Sequence, residues 1–438
     1  MSSEILWSPQ SNIVENSALS KFSKELGFDN NSYEKLHSWS INNKENFWRA
    51  VWDFTRVIGD PGSKSFVPNL KSPMTGAQFF PEAKLNLAEN LLEGDDNFIA
   101  VIETDETGNR REFSRRTLKE KVAKTVNGLK KIGVQSGDRV AAILPNRIEA
   151  LVSLLASASI GAIWTSCSPD FGTKGIIDRI GQTTPKVLFT TSIYRYNNKE
   201  HDFSSRISEI VASLDGLDSV IIVDDKNINI SNKSYNYTLF NEFGINSNLE
   251  FIRLPFSHPS YILYTSGTTG APKAIVHSIG GTILQHFKEH KLHNDLKPRD
   301  KIMWYTNIAW MMYHWVVSSL GCNATLVLYD GVPIIKRNDH LDGSLLWKVA
   351  EQEKLTHMGV SPKYMSTLED IKEIPIEKYN LENLRWLLAA GSPVAPNQFD
   401  WVYKKVKKNI GFSSISGGSE LLACCMLGSP LHPVRKGE

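Results

Sequence analysis

A run of hydroxyl and glycine residues that ends in a lysine is the part of this sequence best suited to chemistry. It reads TSGTTGAPK over residues 265–273 and lies between two short apolar stretches, 261–263 and 274–276. Glycine lets an anion approach the backbone N–H groups closely, hydroxyl groups add donors, and a lysine adds a mobile positive charge. The pattern predicts a loop at a strand end that binds the phosphates of a nucleoside triphosphate. The predicted ligands are Thr265, Ser266, Gly267, Thr268, Thr269, Gly270 and Lys273.

The spacing of this loop argues against a P-loop phosphotransferase. A Walker loop needs four residues between its glycines, followed at once by Lys and then Ser or Thr. Here Gly267 and Gly270 are three positions apart, and Ala274 follows Lys273. A solvent-exposed Ser/Thr/Gly linker is the plainer alternative, but linkers do not ordinarily lie between two apolar strands.

The elements that must position this loop alternate between strand and helix from residue 98 onward. Apolar runs predict strands, and recurrence at helical spacing, as in Leu118, Val122, Val126 and Leu129, predicts helices. This alternation is typical of an α/β fold with mostly parallel sheets covered by helices. Ligands of such sheets bind beyond the carboxyl ends of the strands, where Thr265, Gly391 and Ser416 would meet. The predicted strands include 98–102, 140–144, 187–191, 220–223, 324–328 and 387–390, with helices from 118, from 150 to 164, and over 345–353.

The length of the chain predicts more than one structural unit. The chain has 438 residues, more than one hydrophobic core normally serves, so we expect several subdomains. We predict a covering extension over 1–92, a first α/β unit over 93–248, and a second over 249–438 that carries the phosphate loop.

The charges and cysteines argue against nucleic acid or an anionic membrane as a partner and against an oxidising compartment. The 49 basic and 47 acidic residues leave a net charge of +2, which gives no reason to expect nucleic acid or an anionic membrane. The four cysteines have neither disulfide-framework nor metal-ligand spacing, which favours a reducing compartment. The start of the chain does not read as a secretory signal, so we expect a cytoplasmic protein.

The stretch YTSGTTGAPK, Tyr264–Lys273, closely resembles the signature loop of the adenylate-forming superfamily, which includes acyl-CoA synthetases, peptide-synthetase adenylation domains and luciferases. The resemblance implies that ATP activates a carboxylate as an acyl-adenylate, that pyrophosphate leaves, and that the acyl group then passes to a thiol such as CoA. It also implies a large amino-terminal domain with two helix-flanked, mostly parallel sheets and part of an associated β-barrel.

Three further segments acquire roles through this resemblance. The turn Gly391-Ser392-Pro393 would place backbone against adenine, and Ser416-Gly417-Gly418-Ser419-Glu420 would serve ATP and its magnesium, with Glu420 as the metal ligand. Trp310, Met311 and Met312, with Ala390 and Gly417, would line the acyl pocket. Thr265, Lys273 and Glu420 become the candidate catalytic residues, and Arg179 becomes a candidate for contacting CoA.

Each segment also has a plain structural interpretation. The glycine turn could serve only the bend, residues 307–315 could start a core helix, and Ser419 could cap a helix N-terminus. His314 is the least certain, because a lone histidine is more often structural than catalytic. The pair Asp178-Arg179 could be an ordinary surface feature of a helix.

The resemblance also indicates which acid is activated. Acetyl-CoA synthetases carry a tryptophan where Gly417 stands, and loss of that indole implies an acid larger than acetate. Together with the amino-terminal stretches 5–9 and 80–92, this narrows the expected substrate to acetoacetate. Members of the superfamily continue beyond the segment at Glu438, so we expect the small mobile lid domain with its adenylation lysine to be absent, and ATP binding to exceed turnover. The alternatives are a CoA ligase for another short or branched acid and a non-catalytic nucleotide-binding remnant.

Overall fold

The amino-terminal residues form helices and short strands that pack on the rest of the protein. The computed structural model describes residues 4–29, 33–73, 75–224, 235–265, 270–337 and 340–438. Among them Trp52 and Phe80 pack together and are buried in the core, so this region is part of the hydrophobic interior as well as a cover. The elements are β1 (Ile5–Trp7), α1 (Ser11–Asn16), α2 (Ala18–Glu25), α3 (Tyr33–Asn42), α4 (Lys44–Thr55), β2 (Gly59–Asp60), β3 (Phe66–Val67), β4 (Gln78–Phe79), β5 (Lys84–Leu85) and α5 (Leu87–Leu92).

The alternation of strand and helix predicted from residue 98 is present. Helix α7 is shorter than the apolar stretch 150–164 suggested, because Gly161 turns the chain with a φ of +76° and the β-branched and aromatic residues after it form β9. The elements of this part are β6 (Ile99–Asp105), β7 (Arg110–Ser114), α6 (Arg115–Lys131), β8 (Arg139–Ile143), α7 (Ile148–Ser159), β9 (Ile163–Cys167), α8 (Thr173–Ile180), β10 (Val187–Thr190), β11 (Ile193–Tyr196), β12 (Lys199–Asp202), α9 (Ser204–Ala212), β13 (Ser219–Ile222), β14 (Asn236–Leu239), β15 (Leu254–Pro255), β16 (Pro259–Tyr264) and β17 (Ala274–Ser278).

The last part of the chain continues the same pattern. Helix α10 is capped by the Ser278 side chain, which accepts from Gly281 N–H, and a π-helical turn over Lys288–His293 extends it. The elements are α10 (Ile279–Phe287), β18 (Lys301–Trp304), α11 (Met311–Val317), β19 (Thr325–Asp330), β20 (Ile335–Arg337), β21 (His340–Asp342), α12 (Leu345–Gln352), β22 (His357–Val360), α13 (Pro362–Asp370), α14 (Pro375–Lys378), β23 (Trp386–Ala389), α15 (Pro396–Trp401), β24 (Gly411–Ser414), β25 (Ser416–Gly418), β26 (Ala423–Met426) and β27 (Val434–Arg435).

Two seven-stranded sheets organise these elements, as an α/β fold requires. The first has the order β14-β13-β10-β8-β9-β16-β17, and the second has the order β24-β23-β22-β18-β19-β6-β7. Within each, neighbouring strands are parallel except at one edge, where β17 and β7 run antiparallel to β16 and β6. The remaining described strands form small sheets of two or three strands, so the expected part of a β-barrel is not confirmed.

The sheets do not follow the predicted division at residue 248. The first sheet takes its strands from 139–278 and therefore includes β16 and β17, whereas β6 and β7 pair with β19 in the second sheet. Strand pairing is decided by tertiary contacts, which sequence periodicity does not report. The domain bounds themselves remain a prediction.

A central apolar core lies between the two sheets. Val140 and Ala142 of β8 belong to it, while their neighbours Ala141 and Ile143 belong to the core on the outer face of the first sheet. This follows from the alternation of side chains along a strand. Helix α7, buried along nearly its whole length, contributes to the central core. No helix in the described ranges has both the length and the apolar composition to cross a bilayer.

Candidate active site

A cavity of about 850 Å³ opens at the carboxyl ends of the strands of both sheets. Its wall includes the residues that follow β18, β22, β23 and β24 in the second sheet and those that follow β8 and β9 in the first. The size is typical of a small-molecule site. The crevice therefore lies where the parallel topology places ligands.

The cavity brings together most of the segments singled out in the sequence. Both the predicted acyl wall and the predicted adenine turn contribute to the same space, although they are about 80 residues apart in the chain. The predicted residues that line it are Trp310, Met311, Met312, Ala390, Gly391, Ser392, Pro393, Ser416, Gly417, Gly418 and Ser419.

The predicted phosphate loop, residues 265–273, connects the antiparallel strands β16 and β17. Its residues Ser266, Gly267, Thr268 and Thr269 lie outside the described residues. At its base, Thr265 N–H donates to the Lys273 carbonyl over 3.1 Å, and Lys273 N–H donates to Thr265 Oγ1 over 3.3 Å. Gly270 and Lys273 are exposed, and neither they nor Thr265 lie on the wall of the cavity. No helix starts directly after the loop, in contrast to a Walker loop.

A side chain links the strand after this loop to the segment around Ser419. The ring of His277, on β17, lies with Nε2 at 2.7 Å from the Ser419 carbonyl, to which its N–H donates. Burial lowers the pKa of His277, while this hydrogen bond and the negative charge of Glu420 act in the opposite direction. This hydrogen bond connects β17 to the turn that follows β25.

The segment 416–420 is a strand and turn, so the alternative of a helix capped by Ser419 is wrong. Strand β25 pairs antiparallel with β26, and the N–H groups of Leu421 and Leu422 both donate to the Gly418 carbonyl in the connecting turn. The tight turn and the strand that follows it leave no helix for Ser419 to cap.

Glycine at position 417 is required by the backbone around it. A Cβ placed there would lie 2.3 Å from the Ala423 carbonyl oxygen and 3.1 Å from Cys424 Cα. The absence of a side chain at Gly417 therefore does not simply leave pocket volume free, as the comparison with a tryptophan suggested. It allows β26, which carries the cavity-lining Cys424, to approach β25 closely.

The aromatic segment 307–315 forms one wall of the cavity and the start of a helix. Trp310 precedes α11, is 44% exposed, and packs edge-on against Phe171 at 6.2 Å between ring centroids. His314 is fully buried and bonds the Trp310 carbonyl through Nδ1 at 3.2 Å. Burial lowers the pKa of His314 to about 3, so the ring is neutral at physiological pH. His314 does not line the cavity, in agreement with a structural role.

Arg179, the arginine predicted to contact CoA, is not among the residues that line the cavity. Arg179, on α8, donates from Nη1 to the Gly175 carbonyl at 2.8 Å and lies over the Phe171 ring at 5.1 Å, so its contact with CoA stays a prediction. Of the described arginines, Arg195 is the one that lines the cavity, flanked by Tyr194 and Tyr196 on the β11–β12 hairpin. Sequence reasoning missed this residue, although the string Tyr-Arg-Tyr-Asn-Asn is a recognisable hairpin signal.

A carboxyl group at the end of β19 was also missed. Asp330 lies on the cavity wall, and burial raises its pKa to about 7, while the positive charge of Arg147 opposes the shift. A perturbed carboxyl group in a cleft is a common mark of a functional site. Its position at a strand end of a predicted sheet was the available signal.

The described residues contain no cluster of three or more His, Cys, Asp or Glu side chains that could hold a metal ion. Magnesium seldom needs one, since it binds through one or two carboxylates together with substrate phosphates and water. Glu420 is exposed, and its Oε2 lies 3.0 Å from where a Cβ of the cavity-lining Gly418 would be, so its role as a magnesium ligand stays a prediction.

Comparisons with known proteins agree with this geometry. A family model described as "AMP-binding enzyme" matches residues 90–436. The chain is 40% identical to the acetoacetyl-coenzyme A synthetase of Rhizobium meliloti over 99% of its own length and 67% of that protein, and 36% identical to the acetoacetyl-CoA synthetase of Gallus gallus over 100% and 67%. The solved acetoacetyl-CoA synthetase from Streptomyces lividans superposes with a TM-score of 0.90 at 33% identity, over 99% of this chain and 68% of that one. The chain thus spans about two thirds of the length of these relatives.

Proposed function

Because this chain belongs to the AMP-binding enzyme family, we propose that it activates acetoacetate with ATP and passes the acyl group to CoA, giving acetoacetyl-CoA, AMP and pyrophosphate. One observation carries the proposal: a single cavity joins the turn 391–393, the wall 310–312 and the strand 416–418 in a chain that is similar to acetoacetyl-CoA synthetases over nearly its whole length.

The first step is attack of an acetoacetate carboxylate oxygen on the α-phosphorus of ATP. Adenine would lie against the backbone of Gly391-Ser392-Pro393, and the acyl chain against Met311 and Met312. The hydroxyl groups of the loop from Thr265 and the Lys273 ammonium group would stabilise the negative charge that gathers on the leaving pyrophosphate. These roles are supported by the position of the loop at the end of β16 and β17, the second of which contacts the Ser419 carbonyl through His277.

The second step is attack of the CoA thiol on the acyl carbon, with AMP as the leaving group. No cysteine or serine nucleophile is needed, since orientation of two bound substrates can supply much of the rate enhancement. With the nucleotide at the β23–β24 end of the cavity, CoA would enter from the opposite end, where Arg195 offers a guanidinium group to a phosphate.

Magnesium is the metal that we propose for the ATP-bound state, with Glu420 as its protein ligand. When bound, the ion would neutralise phosphate charge. Glu420 is exposed beside Gly418, so its carboxylate can accept such an ion without loss of a buried partner. We also place the protein in the cytoplasm, in keeping with four cysteines that are all free.

A second candidate acid is favoured by one relative. The malonamoyl-CoA synthetase of Penicillium aethiopicum is 36% identical to this chain over 99% of it and 64% of that protein. Malonamate and acetoacetate have the same heavy-atom skeleton and both carry a carbonyl group at C3; an amide NH₂ replaces the methyl group. The cavity must therefore recognise the C3 substituent if it is to separate them.

Acid-dependent ATP–pyrophosphate exchange tests the proposal directly. The chain would be assayed with acetate, butyrate, acetoacetate and malonamate, first without CoA and then with CoA and thioester detection. We expect the highest kcat/KM with acetoacetate. A preference for acetate would reject the proposed substrate, and a preference for malonamate would select the second candidate. Binding of magnesium-ATP in calorimetry without exchange for any acid would support the non-catalytic nucleotide-binding alternative.

A further inference from the structure

Glu106 lies just behind the cavity and joins two parts of its wall. The residue follows β6, is only 6% exposed, and does not line the cavity itself. Its carboxylate accepts three backbone hydrogen bonds: Oε1 from Asn198 N–H at 2.6 Å, and Oε2 from Asn197 N–H at 3.1 Å and Val332 N–H at 3.0 Å. One buried carboxylate therefore connects two separate loops.

The first of these loops is the turn of the β11–β12 hairpin. Asn197 and Asn198 have φ values of +55° and +58°, as in a two-residue hairpin turn with both central residues left-handed. The turn directly follows Tyr194, Arg195 and Tyr196, which line the cavity. The position of the Arg195 guanidinium group thus depends on where this turn is held.

The second loop follows β19. Val332 comes directly after Asp330 and Gly331, both of which line the cavity. Gly331 has a φ of +132°, and a Cβ there would lie 2.6 Å from Glu106 Cβ, so the Glu106 side chain is packed directly on this backbone. The carboxylate holds the hairpin against the end of the second sheet.

A carboxylate is the side chain that this arrangement requires. It accepts hydrogen bonds at both oxygens and donates none, whereas glutamine has a single acceptor oxygen and an NH₂ group that donates. Glu106→Gln would leave the volume of the side chain nearly unchanged. However, its NH₂ group would face at least one of the three backbone N–H groups, which would then lose its acceptor. An unpaired buried N–H group is unfavourable, so the hairpin would shift away from its place.

We propose that Glu106 is a positioning residue for the second substrate: it fixes the β11–β12 hairpin so that Arg195 can contact a phosphate group of CoA. This inference rests on the proposed function for the identity of the second substrate. It concerns only the thiol-transfer step, because the adenylate end of the cavity, at residues 391–393 and 416–419, is formed by other loops.

The two half-reactions separate this role from a general structural one. Acetoacetate-dependent ATP–pyrophosphate exchange requires no CoA, whereas thioester formation does. For Glu106→Gln we expect exchange within about twofold of the wild-type rate, and a rise in KM for CoA of about tenfold to 100-fold, as misplacement of a substrate-binding group by about 1 Å typically produces. A parallel loss of both half-reactions would overturn the proposal, as would an unchanged KM for CoA.

Two further variants test whether the change in KM for CoA is a general effect of altering a buried carboxylate and whether it acts through Arg195. Glu353→Gln alters another buried carboxylate, whose side chain is 4% exposed and bonds Arg110 at 2.6 Å, away from the cavity; it should leave the KM for CoA unchanged. Arg195→Ala should reproduce the rise in KM, and the double variant with Glu106→Gln should be no worse than either single variant, because both act on one contact. Additive effects would contradict the proposed route.

Calorimetric binding of CoA makes the test independent of turnover. The wild-type chain should bind CoA, and Glu106→Gln should bind it about tenfold more weakly or worse. CoA binding by the wild type without pyrophosphate exchange for any acid would reject the proposed function and leave the Glu106 comparison intact. Equal CoA affinity in the two proteins, or no CoA binding by the wild type, would overturn the inference itself.

Discussion

Replacement of Gly417 by alanine tests how the β25–β26 hairpin shapes the cavity. The added Cβ would lie 2.3 Å from the Ala423 carbonyl oxygen, whereas real contacts of this kind are not found below 3.0 Å. The backbone of β26 would have to move by about 0.7 Å or more, and forced overpacking of this kind typically destabilises a protein by about 1–3 kcal/mol. We expect Gly417→Ala to lower the free energy of unfolding by that amount.

The same displacement should change acid binding. Ala423 precedes Cys424, which lines the cavity, so a shift of β26 moves the wall that faces the substrate. We expect a higher KM for acetoacetate with a smaller effect on the KM for ATP. Urea denaturation followed by tryptophan fluorescence, and pyrophosphate exchange at several acetoacetate concentrations, measure the two effects.

Gly418→Ala is the matched control for this experiment. A Cβ at Gly418 meets only the Glu420 carboxylate end, at 3.0 Å, and a flexible side chain can move away. The control should therefore lose little stability. If Gly417→Ala and Gly418→Ala unfold at the same urea concentration, the close approach of β26 is not what requires glycine at 417, and the reasoning fails.

Three other predictions follow from buried polar groups. Glu289 accepts from Trp315 Nε1 at 2.7 Å and from Cys424 N–H at 2.9 Å, and therefore connects α11 to the strand that carries the cavity-lining Cys424. Glu289→Gln should weaken discrimination among acids in the exchange assay, and unchanged ratios of kcat/KM would contradict this. Burial raises the pKa of Asp330 to about 7 in the folded protein, whereas the same group in the unfolded chain has a pKa of about 4. Between these two values the unfolded state loses the proton more readily, so the contribution of Asp330 to the free energy of unfolding falls as pH rises from about 4 to 7. Asp330→Asn should therefore raise the urea midpoint of unfolding more at pH 8 than at pH 5. An equal rise at both pH values would contradict this prediction. Asn86 is fully buried and its Nδ2 donates to three carbonyl groups at 2.8–3.1 Å while its Oδ1 caps α5, so Asn86→Ala should cost about 2–4 kcal/mol in urea denaturation, against little change in a surface Asn→Ala control.

Much of the fold could be predicted from the sequence because the buried strands consist of short runs of apolar residues. Residues 187–191 and 220–223 were assigned to strands, and the structure has Val187–Thr190 and Ser219–Ile222. Which strands share a sheet could not be predicted, since β6 pairs with a strand more than 200 residues later. No helix was predicted in the first ninety residues, although α4 carries apolar residues at helical spacing in Phe47, Val51 and Phe54.

Sequence motifs predicted which segments form the candidate site, but not the contacts that fix their positions. The segments around Trp310, Gly391 and Ser416 were expected to share a crevice, and they do. The hairpin that carries Arg195 was missed because its two strands have four residues each and little apolar content. The steric need for Gly417 depends on a carbonyl group of a neighbouring strand, and no pattern in the sequence reports that distance.

The pairing of β6 with β19 has a consequence for the order in which the protein can be made. The ribosome completes the β6–β7 hairpin early, and all strands of the first sheet follow before β19 appears. Until then the β6 edge, with the apolar residues Ile99 to Ile102, has no neighbour on its other side. Unpaired apolar strand edges are prone to join other chains. We therefore expect nascent chains stalled before residue 325 to bind chaperones through this hairpin and to be released once the second sheet closes.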